Sequence, residues 1–200
     1  MRVKIIDCTE KQHKDVEKIV NFISDYLQKN NVNYTKLTLK ELQFAQCTEC
    51  RCCTQKKSDE PVKCVLKDDL NDELDNIEAA NRYIILADRN NLFSKNKVHE
   101  KFSQRLVAYY YWPYGQVQST LRRVAQAKSS ILINYNTTKY FMNHSFYTSK
   151  HYMEHTSASI GAKVIDWQAI TPKKDIIKSY EKRLIEMIDK LLHSFVQRAS

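Results

Sequence analysis

Glycine is nearly missing from this chain. Only Gly115 and Gly161 occur in 200 residues, where about 7% would be ordinary, so no glycine-rich loop can be drawn anywhere along it. Long apolar runs are missing too: no stretch approaches a membrane span, and the apolar run that opens the sequence, Val3 to Ile6, is far too short for a secretory h-region. The second absence leads to the expectation of a cytoplasmic protein with reduced thiols. A chain of this length buries about 70% of its unfolded surface, so disulfides are not needed to hold it together. Acidic residues are in the minority, with a net charge of +9. Residues 121–200 carry +7 of that, from 13 Lys/Arg against six Asp/Glu, but scattered rather than in a run. Charge without a recognition motif supports only nonspecific attraction. Neither a specific nucleic acid nor a membrane is therefore expected as a partner.

What is present reads as strands alternating with helices. Val3 to Asp7 is a short buried strand, and Val16, Ile19, Val20, Ile23 and Leu27 then fall at helical spacing. Val32 to Leu39 alternates as a second strand. Asp68-Asp69 opens a helix carrying Leu70, Leu74 and Ile77, with acids suited to its first turn. Tyr83 to Ala87 is a near-continuous apolar strand, and Val98, Phe102, Leu106 and Tyr109 mark the helix after it. Ser130 to Asn134 and Lys163 to Trp167 repeat the strand signal, and the last helix runs from about Lys174 to Phe195. Five strands alternating with helices predict one doubly wound α/β domain over residues 1–200 with a parallel sheet, the cysteine-rich stretch at 45–67 being an insertion. Ligands of such sheets bind beyond the carboxyl ends of the strands. That names three loops: Cys8 to Asp15, Ala87 to Asn96, and Asn134 to Thr138.

Five of the six cysteines fall within residues 47–64. Cys47, Cys50 and Cys53 are spaced C-x2-C-x2-C, Cys64 returns as a fourth thiol, and Cys52 is an extra one. Four thiolates suit a [4Fe–4S] cluster or tetrahedral zinc, and cysteine-only ligation does not choose between them. Small cysteines that simply pack are the third reading. His151 and His155 are spaced i, i+4 but lack the Glu of a zinc-protease helix, and with His144 they read as a solvated face. Tyr109 to Tyr111, Trp112 and Tyr114 read as packing or an interface between copies.

The succession of "CTECRCC", "CVLKDDL", "YIILA", "SQRLVAYYYWPYG" and "SILINYN" resembles the flavodoxin-like NAD(P)H-dependent FMN reductases, including their iron–sulfur flavoprotein branch. The resemblance implies a five-stranded sheet of order 2-1-3-4-5 with helices on both faces. It implies FMN, with NAD(P)H and a small acceptor such as a quinone or flavin as partners, in a homo-oligomer. By position, the phosphate loop would be drawn from Cys8, Thr9, Lys11, His13 and Lys14. The ring would lie between Asn90, Asn91, Leu92, Phe93 and Ser94 on one side and Asn134, Tyr135 and Asn136 on the other. Hydride transfer to a flavin needs no protein acid or base, so no catalytic residue is expected. The iron–sulfur branch implies Cys47, Cys50, Cys53 and Cys64 as ligands, with a shorter final gap than is found here. Two features of the first loop point another way. Glu10 and Asp15 bring carboxylates to where a phosphate would lie, and Thr9 with Gln12 fits a capping box that would engage the helix N–H groups. The alternative function is a flavodoxin-fold protein without flavin, acting as a binding or regulatory module through its cysteines.

Overall fold

The computed structural model describes residues 1–89, 96–122, 128–137 and 149–194. A five-stranded sheet is laid down by β1 (Arg2–Asp7), β2 (Asn33–Thr38), β3 (Arg82–Arg89), β6 (Lys128–Asn136) and β7 (Ala162–Ile170), ordered β2-β1-β3-β6-β7 with every pair parallel. Counting sheet strands alone, this is the expected 2-1-3-4-5. A separate two-stranded antiparallel hairpin, β4 (Tyr110–Tyr111) with β5 (Thr120–Leu121), went unread in the sequence because a two-residue strand has no periodicity to detect.

The central strands are apolar on both faces, and the period of two sorts their side chains into two cores. Val3, Ile5, Ile84, Leu86, Ile131 and Ile133 face α1 (Lys14–Lys29) and α6 (Ile176–His193). Ile6, Tyr83, Ile85 and Leu132 face the other way, toward α3 (Asp69–Glu78), α4 (Lys97–Arg105) and α5 (Lys150–Ser159). The apolar stripe of α1 is the one read from the sequence, since Val16, Ile19, Val20, Ile23 and Leu27 are its buried residues. A short helix, α2 (Cys52–Gln55), lies inside the cysteine stretch. No helix among the described residues is long and apolar enough to cross a membrane.

One buried hydroxyl of these cores is paired where a helix ends. Tyr83, with no exposed surface, donates its hydroxyl to the Ile77 and Ala80 carbonyls at 2.9 and 2.8 Å, and so closes the C-terminus of α3. Tyr83→Phe leaves those carbonyls without that donor. It is expected to lower stability by about 1–3 kcal/mol, measured by urea unfolding.

Candidate functional site

Three strands of the sheet end together at the expected edge, and a carboxylate lies between them. Asp88, fully buried near the end of β3, reaches across to the loop that follows β1. The backbone N–H of Glu10 donates to its Oδ1 at 2.9 Å and that of Lys11 to its Oδ2 at 3.2 Å. His13 Nε2 stands 3.1 Å from Oδ2, and Asn96 Nδ2 donates to Oδ1 at 2.7 Å. Successive backbone N–H groups converging on one point form a nest for an anion. Here the anion is part of the chain.

The same loop holds a second carboxylate. Asp7, at the end of β1, accepts from the Thr9 backbone N–H at 2.9 Å and from its hydroxyl at 2.6 Å. Burial pushes the Asp7 carboxyl up despite those bonds. Burial, with Asp7 and Asp88 nearby, also pushes the Cys8 thiol well up, so Cys8 is a packed thiol and its contribution is the carbonyl that accepts from Asn96 Nδ2 at 2.7 Å. Asn96 is thereby a hub, because its Oδ1 also caps α4 through the His99 N–H at 2.8 Å.

These contacts correct two readings of the loop. Thr9 and Gln12 do not form a capping box: α1 begins at Lys14, the Thr9 hydroxyl turns to Asp7, and Gln12 Nε2 turns to Glu17 at 2.9 Å. The carboxylate in the cradle is neither Glu10 nor Asp15. Asp15 instead accepts from the Tyr135 hydroxyl at 3.2 Å, and burial with Asp15 beside it pushes the Tyr135 phenol up to about 12. Of the basic residues expected around a phosphate, Lys11 and Lys14 are exposed and His13 turns inward, its ring 4.9 Å from that of Tyr135.

The far wall comes from β6. Asn134 is fully buried and accepts from the Ser149 N–H at 3.1 Å, while the Ser149 hydroxyl donates to the Asp88 carbonyl at 3.0 Å. Asn134 Nδ2 finds no acceptor among the described residues. Asn136 is fully buried at the end of the same strand. Asn90, Asn91, Leu92, Phe93 and Ser94 lie outside the described residues.

The cysteines make a separate place. Cys47, Cys50, Cys53 and Cys64 line one cavity of about 420 Å3, with Arg105 and Trp112 also on its wall. Glu49 and Arg51, which alternate with the cysteines, both have φ of 57°, in the left-handed region that costs a residue with a side chain about 1–2 kcal/mol. Those reversals bring Cys50 and Cys53 back to the wall that holds Cys47, and the Glu49 N–H lies 3.4 Å from Cys47 Sγ. The Cys53 thiol is raised to about 11 by burial and then by the neighbouring Cys64, Cys47 and Cys50. Cys52 is exposed and is not part of that wall. Its backbone N–H and then its thiol hold Cys50 below the ordinary thiol value.

Clamps from the rest of the chain fix this segment. Arg51 stacks 3.9 Å from the Trp112 ring and donates to the Trp112 carbonyl, and Arg122 donates to the carbonyls of Cys53, Lys56 and Ala108. Cys64 N and O both bond to the Asn71 side chain, at 2.7 and 3.1 Å. Among the described residues no three His, Cys, Asp or Glu side chains converge as for a metal ion. That leaves both metal readings of these cysteines, the [4Fe–4S] cluster and zinc, without support from the geometry. His151 and His155 are exposed on α5, as a solvated face requires.

No family model and no curated protein sequence matches the chain. Solved structures do. A candidate quinone reductase from Klebsiella pneumoniae superposes with a TM-score of 0.67 at 13% identity, covering 97% of this chain and 86% of that one. An NAD(P)H:quinone oxidoreductase from Methanothermobacter marburgensis gives 0.62 at 11% identity, over 96% and 98%. An FMN-dependent NADH-azoreductase from Bacillus anthracis, solved with FMN, gives 0.60 at 13% identity, over 96% and 98%. The fold is flavodoxin-like. The resemblance read from the sequence is thus borne out at the level of the fold, with the strand order that the flavodoxin-like class requires.

Two residues of the flavodoxin-like edge escaped the sequence reading. Asp88 and Asn96 fall within the loop Ala87 to Asn96 named from the sequence, with no role assigned to either side chain. A charged residue closing the otherwise apolar run "YIILAD" was the available signal, because a strand buried on both faces leaves such a side chain no route to water.

Proposed function

We propose that the protein is an FMN-dependent oxidoreductase that carries electrons from NAD(P)H to a small acceptor such as a quinone or flavin. The observation that carries this reading is the anion nest at the carboxyl end of β1, in the loop where a flavodoxin-like sheet places its ligand. The donor set fits an anion: two consecutive N–H groups, an imidazole and an amide already hold one. When bound, FMN supplies hydride chemistry at its ring, and the protein supplies binding, orientation and exclusion of water. The Glu10 and Lys11 N–H groups with His13 would hold the phosphate only in place of Asp88, which occupies them now, and Asn134, Tyr135 and Asn136 would form one wall of the ring site. Asn90 to Ser94 would form the other.

Titration with FMN is expected to quench flavin fluorescence saturably, and the loaded protein to oxidise NAD(P)H when a quinone is supplied. Absence of both would remove the flavin reading. The second reading, a flavodoxin-like module without flavin, is favoured by one observation: Asp88 already fills the nest. In that case the cysteine cavity becomes the functional centre. A [4Fe–4S] cluster or zinc held there by Cys47, Cys50, Cys53 and Cys64 rests on the cysteine spacing alone, since no metal-holding group forms among the described residues. Bound there, a cluster would supply one-electron chemistry. Iron, sulfide and zinc assayed on anaerobically purified protein are expected to show iron and sulfide in equal amounts, lost in Cys47→Ser, Cys50→Ser and Cys64→Ser alike. Unmodified protein with free thiols and no metal would leave these cysteines as packing.

A further inference from the structure

We propose that Asp88 is an internal substitute for the phosphate of a ligand, so that a phosphomonoester enters the nest only by displacing the Asp88 carboxylate. The inference rests on the flavin reading for the identity of the ligand, and on the geometry of the nest for everything else. A carboxylate with no exposed surface is tolerated only when its oxygens are matched by donors. Here Oδ1 takes the Glu10 N–H and the Asn96 amide, while Oδ2 takes the Lys11 N–H and faces His13. A phosphate oxygen approaching the loop would need those same hydrogens. The two anions also repel, with Asp7 close behind on the Thr9 N–H and hydroxyl. They cannot share the nest, and occupancy is a competition.

A second observation at the same edge points outward, to a ligand. Asn134 pairs with Ala87, the residue before Asp88, across the β3–β6 ladder. Its Oδ1 is engaged by Ser149, which also bonds the Asp88 carbonyl, yet its Nδ2 is buried and lacks an acceptor among the described residues. A buried amide left without an acceptor is costly. The edge therefore has its anion site filled from within while a neighbouring donor is left unmatched.

The test compares FMN, riboflavin and inorganic phosphate as probes of the whole chain. In the unaltered protein FMN and riboflavin are expected to bind equally, since the phosphate finds no free donor, and inorganic phosphate to leave the Glu10 and Lys11 amide resonances unshifted. In Asp88→Ala the two N–H groups are released. FMN is then expected to bind at least about tenfold more tightly than riboflavin, and inorganic phosphate to shift both amides saturably. Asp88→Asn, which keeps the size of the side chain and removes its charge, is expected to move the same way by less. Glu17→Gln removes a nearby exposed carboxylate, in the first turn of α1, that has no part in the nest, and is expected to change neither ratio.

The idea is overturned if the unaltered protein already prefers FMN strongly and Asp88→Ala does not increase that preference, a result that leaves the oxidoreductase reading standing. It is equally overturned if Glu17→Gln reproduces the gain, which would make it a general charge effect, or if the folded Asp88 variants bind neither phosphate nor FMN. No flavin binding by the unaltered protein, with FMN binding gained in Asp88→Ala, supports the inference and removes the native flavin function. Should Asp88→Ala not fold, the amide shifts of the unaltered protein still decide: saturable movement of Glu10 and Lys11 with inorganic phosphate sinks it.

Discussion

Arg105→Ala is expected to lower stability by about 3–5 kcal/mol, the range for removing one partner of a buried ion pair. Arg105 is almost fully buried and forks onto both oxygens of Asp68, at 2.6 and 3.0 Å, while its NH1 also donates to the Ala45 carbonyl at 2.9 Å. Asp68 is not an isolated anion, since it caps α3 through the Asn71 N–H and accepts the Ala45 N–H. One guanidinium thus joins α4, the start of α3 and the chain entering the cysteine segment. The pair also gives a pH signature. Burial alone would raise the Asp68 carboxyl, but Arg105 and the Ala45 and Asn71 N–H groups outweigh it and hold it below its ordinary value. A carboxyl lowered by folding contributes stability that is fully present above its unfolded value of about 3.9 and is lost as pH falls through the folded one. Unfolding free energies across that acid window are expected to fall less steeply in Asp68→Asn than in the unaltered protein. An unchanged slope would show that the pair does not act on folding.

The second large effect is expected where β6 begins. Lys128 has a side chain only 2% exposed and meets Glu78, 13% exposed, at 2.8 Å, with its ammonium 5.7 Å above the Tyr83 ring. Lys128→Ala leaves Glu78 in a low-dielectric setting without this cation, and about 3–5 kcal/mol of stability should be lost. Replacing both, as Lys128→Met with Glu78→Leu, removes the charges together and keeps the volume. That double variant should recover most of the loss, because a buried pair roughly balances its own desolvation. Chemical unfolding of Lys128→Met, Glu78→Leu and the double gives the coupling directly. A double variant as unstable as the sum of the singles would show that the two charges are not coupled.

How much of this was legible in the sequence depends on the range of the interaction. The strands were legible because Val3 to Ile6, Tyr83 to Ala87 and Ile131 to Ile133 are apolar runs buried on both faces, and α1 and α6 because their stripes repeat at helical spacing. Asp88 was not legible as the anion of the nest, because its donors lie 75 to 78 positions earlier at Glu10, Lys11 and His13, and only the parallel pairing of β1 with β3 brings them together. The gathering of four cysteines at one cavity followed the C-x2-C-x2-C spacing, but the reversals that produce it fall on Glu49 and Arg51, residues with no sequence preference for a positive φ.

Arg82 ties the middle of the sheet to a part of the chain that is made late. Its guanidinium, on the central strand, donates to the Leu191 carbonyl at 3.0 Å and to the Ser194 carbonyl at 2.5 Å, 109 and 112 positions further along. At about 5–20 residues per second of synthesis, β1, β2 and β3 leave the ribosome several seconds before those carbonyls exist. A nascent chain halted before Leu191 therefore carries an arginine that cannot be buried at the centre of its sheet. The arginine at the start of the central strand thus gains two of its acceptors only when the last helix arrives.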